Sequence, residues 1–340
     1  MSRDLPFMDF VALESAVQAG AANDEVAKLH KALKDVGFIY LTQHGVSESL
    51  LYELMEIGKL FFNQGDDVKN TLHMKSSGAS WRGYFSVGEE LTSGKPDIKE
   101  GLYFGLDHES QHHHVVNGTP TFGKNLWPEG PLGLQMQSLV SGYMAAMKPV
   151  SQTLLSAISL GLGLESHYFQ TRFSNDPTIL FRMFHYPSTS KDANDWGVQE
   201  HTDMGFLTAL LQDDSGGLEA KSTDGAWIKV PPIRGTLVIN LGDMLEYWTH
   251  GVYRATPHRV KHHGRQGRLS MPFFFDPNWD ATLEPIDLNL IQAHPRQHQD
   301  HQRWDQLDLL SLDASMTYGE FVWNKIKHVF PHFASSVKKE

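Results

Sequence analysis

Residues 206–241 read FLTALLQDDSGGLEAKSTDGAWIKVPPIRGTLVINL. Four short runs of apolar and β-branched residues, 206–212, 217–220, 226–230 and 236–241, are separated by clusters of Asp, Gly, Ser and Pro, the pattern of short strands between turns. Asp224-Gly225 is a hairpin signal between two of them. Runs of the same kind lie on either side, Ile179 to Tyr186 and Arg268 to Phe275. Strands this short at this spacing predict an antiparallel sandwich or jelly roll of roughly 100 residues.

Helical patterns flank that region. Asn23 is placed to cap a helix carrying Val26, Leu29, Leu33 and Val36 on one face, with Gly37 after it and the strand-like Phe38-Ile-Tyr-Leu41 next. Leu50, Leu51, Leu54, Leu60 and Phe61 mark a second helix. From Gly78 to Pro131 the chain is rich in Gly, Pro and His with little periodicity, which predicts long loops over a surface or a pocket. Helical spacing returns from Leu134 to Leu162, with a break or kink expected at Pro149. Residues 280–313 are polar and rich in His and Gln, an excursion outside the core, and Thr317-Tyr-Gly-Glu320 is a capping box that opens a closing helix. The expected class is α+β with a mainly β core.

Composition narrows the chemistry. The 340 residues carry 29 Lys and Arg against 40 Asp and Glu, a net charge of −11. A chain this acidic repels phosphate backbones, so nucleic acid is not an expected partner. No run of 18 apolar residues and no basic amphipathic stretch points to a membrane. The first ten residues lack the apolar segment of a secretory leader, so the cytoplasm is the expected compartment. Cysteine is absent, which leaves His and carboxylates as the metal-binding repertoire.

His201-Thr-Asp203 sits just ahead of a predicted strand, and in extended chain residues i and i+2 face the same way. With 19 His and 40 acidic residues, chance supplies about two His-x-acid triplets. The second is His298-Gln-Asp300, so a surface His beside a solvated Asp explains either one alone. The downstream sequence separates them. His258 comes after a series of strand signals that can carry the chain from His201 across a sandwich and back. Two His and one carboxylate form a facial triad that holds Fe(II) and leaves positions open. Beyond it, Arg268-Leu-Ser270 places a guanidinium fork and a hydroxyl on one strand face, suited to a carboxylate. Arg172-Phe-Ser174 shows that the same triplet also occurs elsewhere.

His201-x-Asp203, His258-Arg-Val and Arg268-x-Ser270 together resemble the signature of the isopenicillin N synthase-like family of Fe(II)/2-oxoglutarate-dependent oxygenases. Flanking segments are similar to the family as well: Leu210-Leu-Gln-Asp-Asp214 with Gly216-Gly-Leu218, Asn240-Leu-Gly-Asp-Met-Leu-Glu246, Asp35-Val-Gly-Phe-Ile-Tyr-Leu41 with His44-Gly45, and Tyr318-Gly-Glu320 with Phe330-Pro331. The resemblance implies a distorted double-stranded β-helix flanked by N-terminal and C-terminal helices. It implies that His201, Asp203 and His258 bind Fe(II), that Arg268 and Ser270 hold the distal carboxylate of 2-oxoglutarate, and that Tyr186 assists there. The cofactors are then Fe(II), 2-oxoglutarate as cosubstrate and O₂, with no catalytic residue needed beyond the metal ligands. Phe184 departs from the pattern, since many members carry Asn at that position.

On this reading residues 1–130 form a helix and strand region whose loops cover the pocket, 131–175 supporting helices, 176–280 the catalytic core and 281–340 the excursion and closing helix of one unit. The expected activity is hydroxylation or another oxidation of a small organic molecule, with release of succinate and CO₂. An oxidase on the same fold that uses no 2-oxoglutarate, a His/carboxylate zinc hydrolase and a non-catalytic jelly-roll binding module are the competing readings. Against the hydrolase, no acid is placed as a general base beside His201, Asp203 and His258. Arg182, Phe275, Tyr84 and Tyr103 are the candidate substrate contacts. His112-His-His114, His262-His263, His294, His298 and His301 are expected in solvated loops or turns, because adjacent imidazoles in extended chain cannot all face one ion.

Overall fold

The computed structural model describes residues 5–188, 196–261, 266–291, 309 and 312–335. Its major sheet runs in the order β1 (Phe7–Asp9), β2 (Phe38–Thr42), β12 (Leu237–Leu241), β9 (Leu207–Gln212), β14 (Arg268–Asp276), β7 (Thr178–Tyr186), β6 (Glu100–Gly105) and β3 (Gly83–Phe85). The minor sheet is β11 (Trp227–Lys229), β10 (Leu218–Lys221), β13 (His258–Val260) and β8 (Val198–His201), and β4 (Leu91–Thr92) pairs with β5 (Lys95–Pro96). Apart from the parallel β1–β2 contact every pairing is antiparallel. This is the jelly roll that the six runs between 178 and 276 predict, completed by the short strands β8 and β13.

The long strands β7 and β14 pair through Arg268↔Tyr186, Ser270↔Phe184 and Phe273↔Phe181. The twofold period of a strand then divides each into two faces. Odd-numbered residues pack on the helices: Tyr143, from helix Gly130–Gly161, lies 5.1 Å from the ring of Phe181 and 6.1 Å from that of Phe273. Even-numbered residues, Leu180, Arg182, Phe184 and Tyr186 on one strand and Arg268, Ser270, Pro272, Phe274 and Asp276 on the other, line a cavity of about 690 Å³.

Local signals place the flanking helices. Asn23 accepts the Val26 N–H at the start of helix Asp24–Asp35, and Gly37 takes φ +72° after it, where a Cβ would meet the Arg254 carbonyl and Thr256. The Thr317–Glu320 capping box opens helix Tyr318–Val329, whose inner side forms one wall of the cavity. Two expectations are corrected. Helix Gly130–Gly161 continues through Pro149 without a break, since its burial outweighs the one lost backbone bond. The stretch from Gly78 to Pro131 holds β3 and β6, which complete the edge of the major sheet beside β7. No described helix is long and apolar enough to cross a membrane. His262, His263, His294, His298 and His301 lie outside the described residues.

Candidate metal centre and cosubstrate site

His201 ends β8 and His258 opens β13, directly opposite each other in the minor sheet, with ring centroids 4.2 Å apart. Backbone carbonyls fix both rings in the same way. His201 Nδ1 lies 2.8 Å from the Gln199 carbonyl and His258 Nδ1 lies 3.1 Å from that of Thr256. A carbonyl only accepts, so each Nδ1 carries the proton and each Nε2 is left with its lone pair. Those Nε2 atoms lie 4.0 and 3.7 Å from Asp203 Oδ1.

The other carboxylate oxygen is already engaged. Thr208 and Asn240, cross-strand partners on β9 and β12, donate from Oγ1 and Nδ2 to Asp203 Oδ2, which turns Oδ1 toward the imidazoles. Burial alone would raise the Asp203 pKa, but His258, His201 and these two donors hold it below its ordinary value. Burial, and then the neighbouring His258, lower His201 to about 4. A carboxylate and a neutral imidazole are the forms that bind a metal. One ligand atom from each of the three residues falls within 4.8 Å of the others, and no other such group occurs among the described residues. Two nitrogens and one oxygen meeting on one side fit a facial triad for Fe(II).

Arg268 lies deeper on the same wall and is fully buried. Its Nε donates to the Gly216 carbonyl at 2.6 Å and its Nη2 to Gln212 Oε1 at 3.4 Å, while Nη1 is sealed from solvent with no partner. Gly216 supplies that carbonyl from a backbone at φ +73°, a conformation that favours glycine. A buried guanidinium with one idle donor, beside buried Ser270, fits an incoming carboxylate. Tyr186 stacks its ring 4.7 Å from the Arg268 guanidinium. Phe184, where an amide was expected, meets the Lys99 ammonium 4.9 Å above its ring. By contrast Arg172 of the other Arg-x-Ser triplet is a surface residue 3.4 Å from Glu284.

The substrate candidates divide. Arg182 lines the cavity, and Tyr103 stands behind it, accepting from Arg182 Nη1 at 3.1 Å and donating to Glu90 Oε1 at 2.8 Å. Phe275 is an odd-numbered residue of β14 and points into the core; Phe274 takes the cavity position. Tyr84 belongs to another buried network, where its hydroxyl donates to Glu100 beside Lys69 and His185. His112 and His114 pack on Phe122 and His113 packs on both of them, without bringing three ligand atoms together. Thr208, Asp276 and the Glu90–Asp97–Lys99 cluster are residues at or beside the site that no motif marked, and Asn240 opens a family-like segment without being assigned a role there. The parity set by Arg268 and Ser270 was the available signal for Phe274 and Asp276.

A jelly roll that gathers two imidazoles and a carboxylate at the mouth of a cavity, with a half-satisfied arginine behind them, is the frame of a non-haem iron oxygenase. The chain belongs to the 2OG-Fe(II) oxygenase superfamily: the model of that family matches residues 177–277, and that of the N-terminal region of a non-haem dioxygenase in morphine synthesis matches residues 5–130. It is 38% identical over 331 residues to a "Probable iron/ascorbate oxidoreductase" of Dictyostelium discoideum, covering 91% of this chain and 90% of that one. It is 34% identical over 298 residues to a homoarginine-6-hydroxylase of Arabidopsis thaliana, covering 84% and 88%. Its fold is similar to that of a full-length Neurospora crassa protein crystallised with alpha-KG and thymine, at a TM-score of 0.74 and 23% identity, covering 98% and 97%. The chain is thus an enzyme of the dioxygenase class that works with Fe(II), 2-oxoglutarate and O₂.

Proposed function

We propose that His201, Asp203 and His258 hold the Fe(II), that Arg268 and Ser270 anchor the distal carboxylate of 2-oxoglutarate, and that a small organic molecule is oxidised in the cavity between them and helix Tyr318–Val329. The convergence of His201 Nε2, His258 Nε2 and Asp203 Oδ1 beside the unpartnered Arg268 Nη1 carries this reading. Bound iron supplies the O₂ chemistry, in which 2-oxoglutarate loses CO₂ to become succinate with one oxygen atom while the substrate receives or is oxidised by the other. The chain itself orients the reactants and excludes water: Asn240 and Thr208 steer one oxygen of Asp203, carbonyls steer the imidazoles, and the apolar residues Leu210, Phe274 and Phe321 dry the wall.

Arg182 is the substrate contact on this wall, with Tyr103 positioning it. An Arabidopsis relative named for an amino acid, homoarginine, supports a small polar substrate. Succinate formed per O₂ consumed, measured on the iron-loaded enzyme, tests the reading. A ratio near one is expected, whereas O₂ uptake without succinate would support the oxidase that needs no cosubstrate.

A further inference from the structure

Most buried charges in the cavity wall are matched within the chain. Lys99 Nζ lies 2.7 Å from Glu90 and 2.5 Å from Asp97, Lys325 lies 3.2 Å from Asp243, and Asp203 faces two imidazoles. Arg268 keeps a donor for the cosubstrate. Two further ionisable groups form no direct salt bridge among the described residues, although the Arg182 guanidinium acts through space on Glu90 and Asp276, and the oxygenase chemistry uses neither except as a general contact.

The first is Arg182, which is 94% buried. Its guanidinium centre stands 4.0 Å from the ring centroids of both Trp81 and Tyr103 and 4.8 Å from that of Phe274. Its one hydrogen bond to a side chain runs to the neutral Tyr103 hydroxyl. Aromatic rings pack against its planar faces, so the N–H groups at its edge are what it offers to the cavity that it lines. The second is Asp276, 96% buried on the same face of the neighbouring strand. It accepts the Phe206 N–H at 3.3 Å and the Tyr318 hydroxyl at 2.8 Å, both neutral donors. With burial as the main cause, its carboxyl is pushed up to about 7. The two form no direct salt bridge with each other; Phe274, two residues before Asp276, packs against the guanidinium.

We infer that Arg182 and Asp276 together read a zwitterion: the prime substrate is a free amino acid whose carboxylate is received by Arg182 and whose ammonium or other cationic nitrogen is received by Asp276. This rests on the cavity being the substrate site of the oxygenase proposed above. A neutral heterocycle would leave the Arg182 edge without a carboxylate, and neither it nor a simple carboxylic acid would give Asp276 the cationic donor that favours its ionised form. An amino acid satisfies both, and the apolar surface of Phe274, Met316, Phe321 and Ile326 receives the rest of it. Selectivity of this kind is strong because the analogue that lacks a group strands its buried partner.

The test loads the enzyme with Fe(II) and 2-oxoglutarate and measures the stimulation of succinate release over the substrate-free rate. The probes are the common L-amino acids, L-homoarginine and, for every amino acid that stimulates, its N-acetyl derivative, its methyl ester and the corresponding deaminated acid, with thymine as a neutral comparison. At least one free amino acid should stimulate, and each blocked form should need on the order of 100-fold more ligand for half-maximal effect. Asp276→Asn retains an acceptor for Phe206 and a partner for Tyr318, and it should collapse the preference for the free amine over the deaminated acid. Arg182→Gln should collapse the preference for the free acid over the ester. The inference is overturned if no amino acid stimulates, if thymine or the deaminated acids match the amino acids, or if both variants keep the wild-type preferences. Should Asp276→Asn not fold, the wild-type panel and Arg182→Gln still decide. Failure of the wild type to form succinate either without substrate or with any probe would instead count against the oxygenase reading itself.

Discussion

Glu90 and Lys99 in the cavity wall and Asp97 behind them are buried together, with one ammonium shared directly between two carboxylates. Arg182, Arg268 and Asp276, on the strands that form the adjoining wall, are buried ionisable groups that form no direct salt bridge among the described residues. Both arrangements carry the desolvation cost of burial. The first offsets much of it through direct ion pairs within the chain; the second gains direct ionic partners only when a ligand brings them. Buried charge thus has two meanings in one cavity, and the presence of a partner tells them apart.

Removing the metal carboxylate should have the largest effect. Asp203→Ala is expected to abolish succinate formation and Fe(II) binding while the sheet stays folded, as read by an anaerobic Fe(II) titration beside circular dichroism. Retained binding would break the triad assignment. Lys99→Met strands Glu90 and Asp97 in the self-matched cluster, so it should lower stability by about 3 to 5 kcal/mol in thermal or urea denaturation. A stable variant would erase the difference between the two walls. Arg268→Ala belongs to the other class and should act on ligand binding, raising the KM for 2-oxoglutarate by the equivalent of about 2 to 5 kcal/mol, with Lys restoring only part because it lacks the fork. Asn240→Ala loosens the grip on Asp203 Oδ2 and is expected to weaken Fe(II) affinity by about 10- to 100-fold.

The smallest effect is one of pH. Asp276 has its folded pKa raised by burial from the ordinary 3.8 to about 7. The native state therefore holds a proton that the unfolded chain has already lost, and stability falls as pH rises through this range. The part that lies between about pH 6 and 8 amounts to about 1.4 kcal/mol. Asp276→Asn should remove that slope from a series of denaturation curves. A slope unchanged in the variant would mean that the carboxyl is not held protonated by its surroundings.

Much of this was legible from the chain alone. Strand runs at 179–186, 206–212, 236–241 and 268–275 match β7, β9, β12 and β14 because both their composition and their turns are local signals. His201, Asp203 and His258 stand out through their spacing around those strands. The missed strands β3 and β6 show where local reading fails. Glu100 lies within β6 because Lys69, Tyr84 and His185, 31, 16 and 85 residues away in sequence, give its carboxylate hydrogen bonds. Nothing near Glu100 announces those partners. The choice of Phe275 over Phe274 failed for another reason. Arg268 and Ser270 already define the cavity side of β14 as the even one, so strict alternation would have pointed to Phe274 and, two residues later, to Asp276.

That alternation also bears on how the gene for this protein can change. β14 is bonded to β9 on one side and to β7 on the other, and its two faces serve opposite purposes. A substitution in it alters one contact, but the loss or gain of a single codon between Ser270 and Asp276 would reverse the facing of every strand residue on one side of the change, so that Arg268 and Ser270 could no longer share a face with Asp276. The hairpin Leu91–Pro96, which pairs only with itself, carries no such frame. Length variation among descendants of this chain should therefore accumulate in the rim hairpin and be purged from the strand, even where both segments tolerate replacement of individual residues.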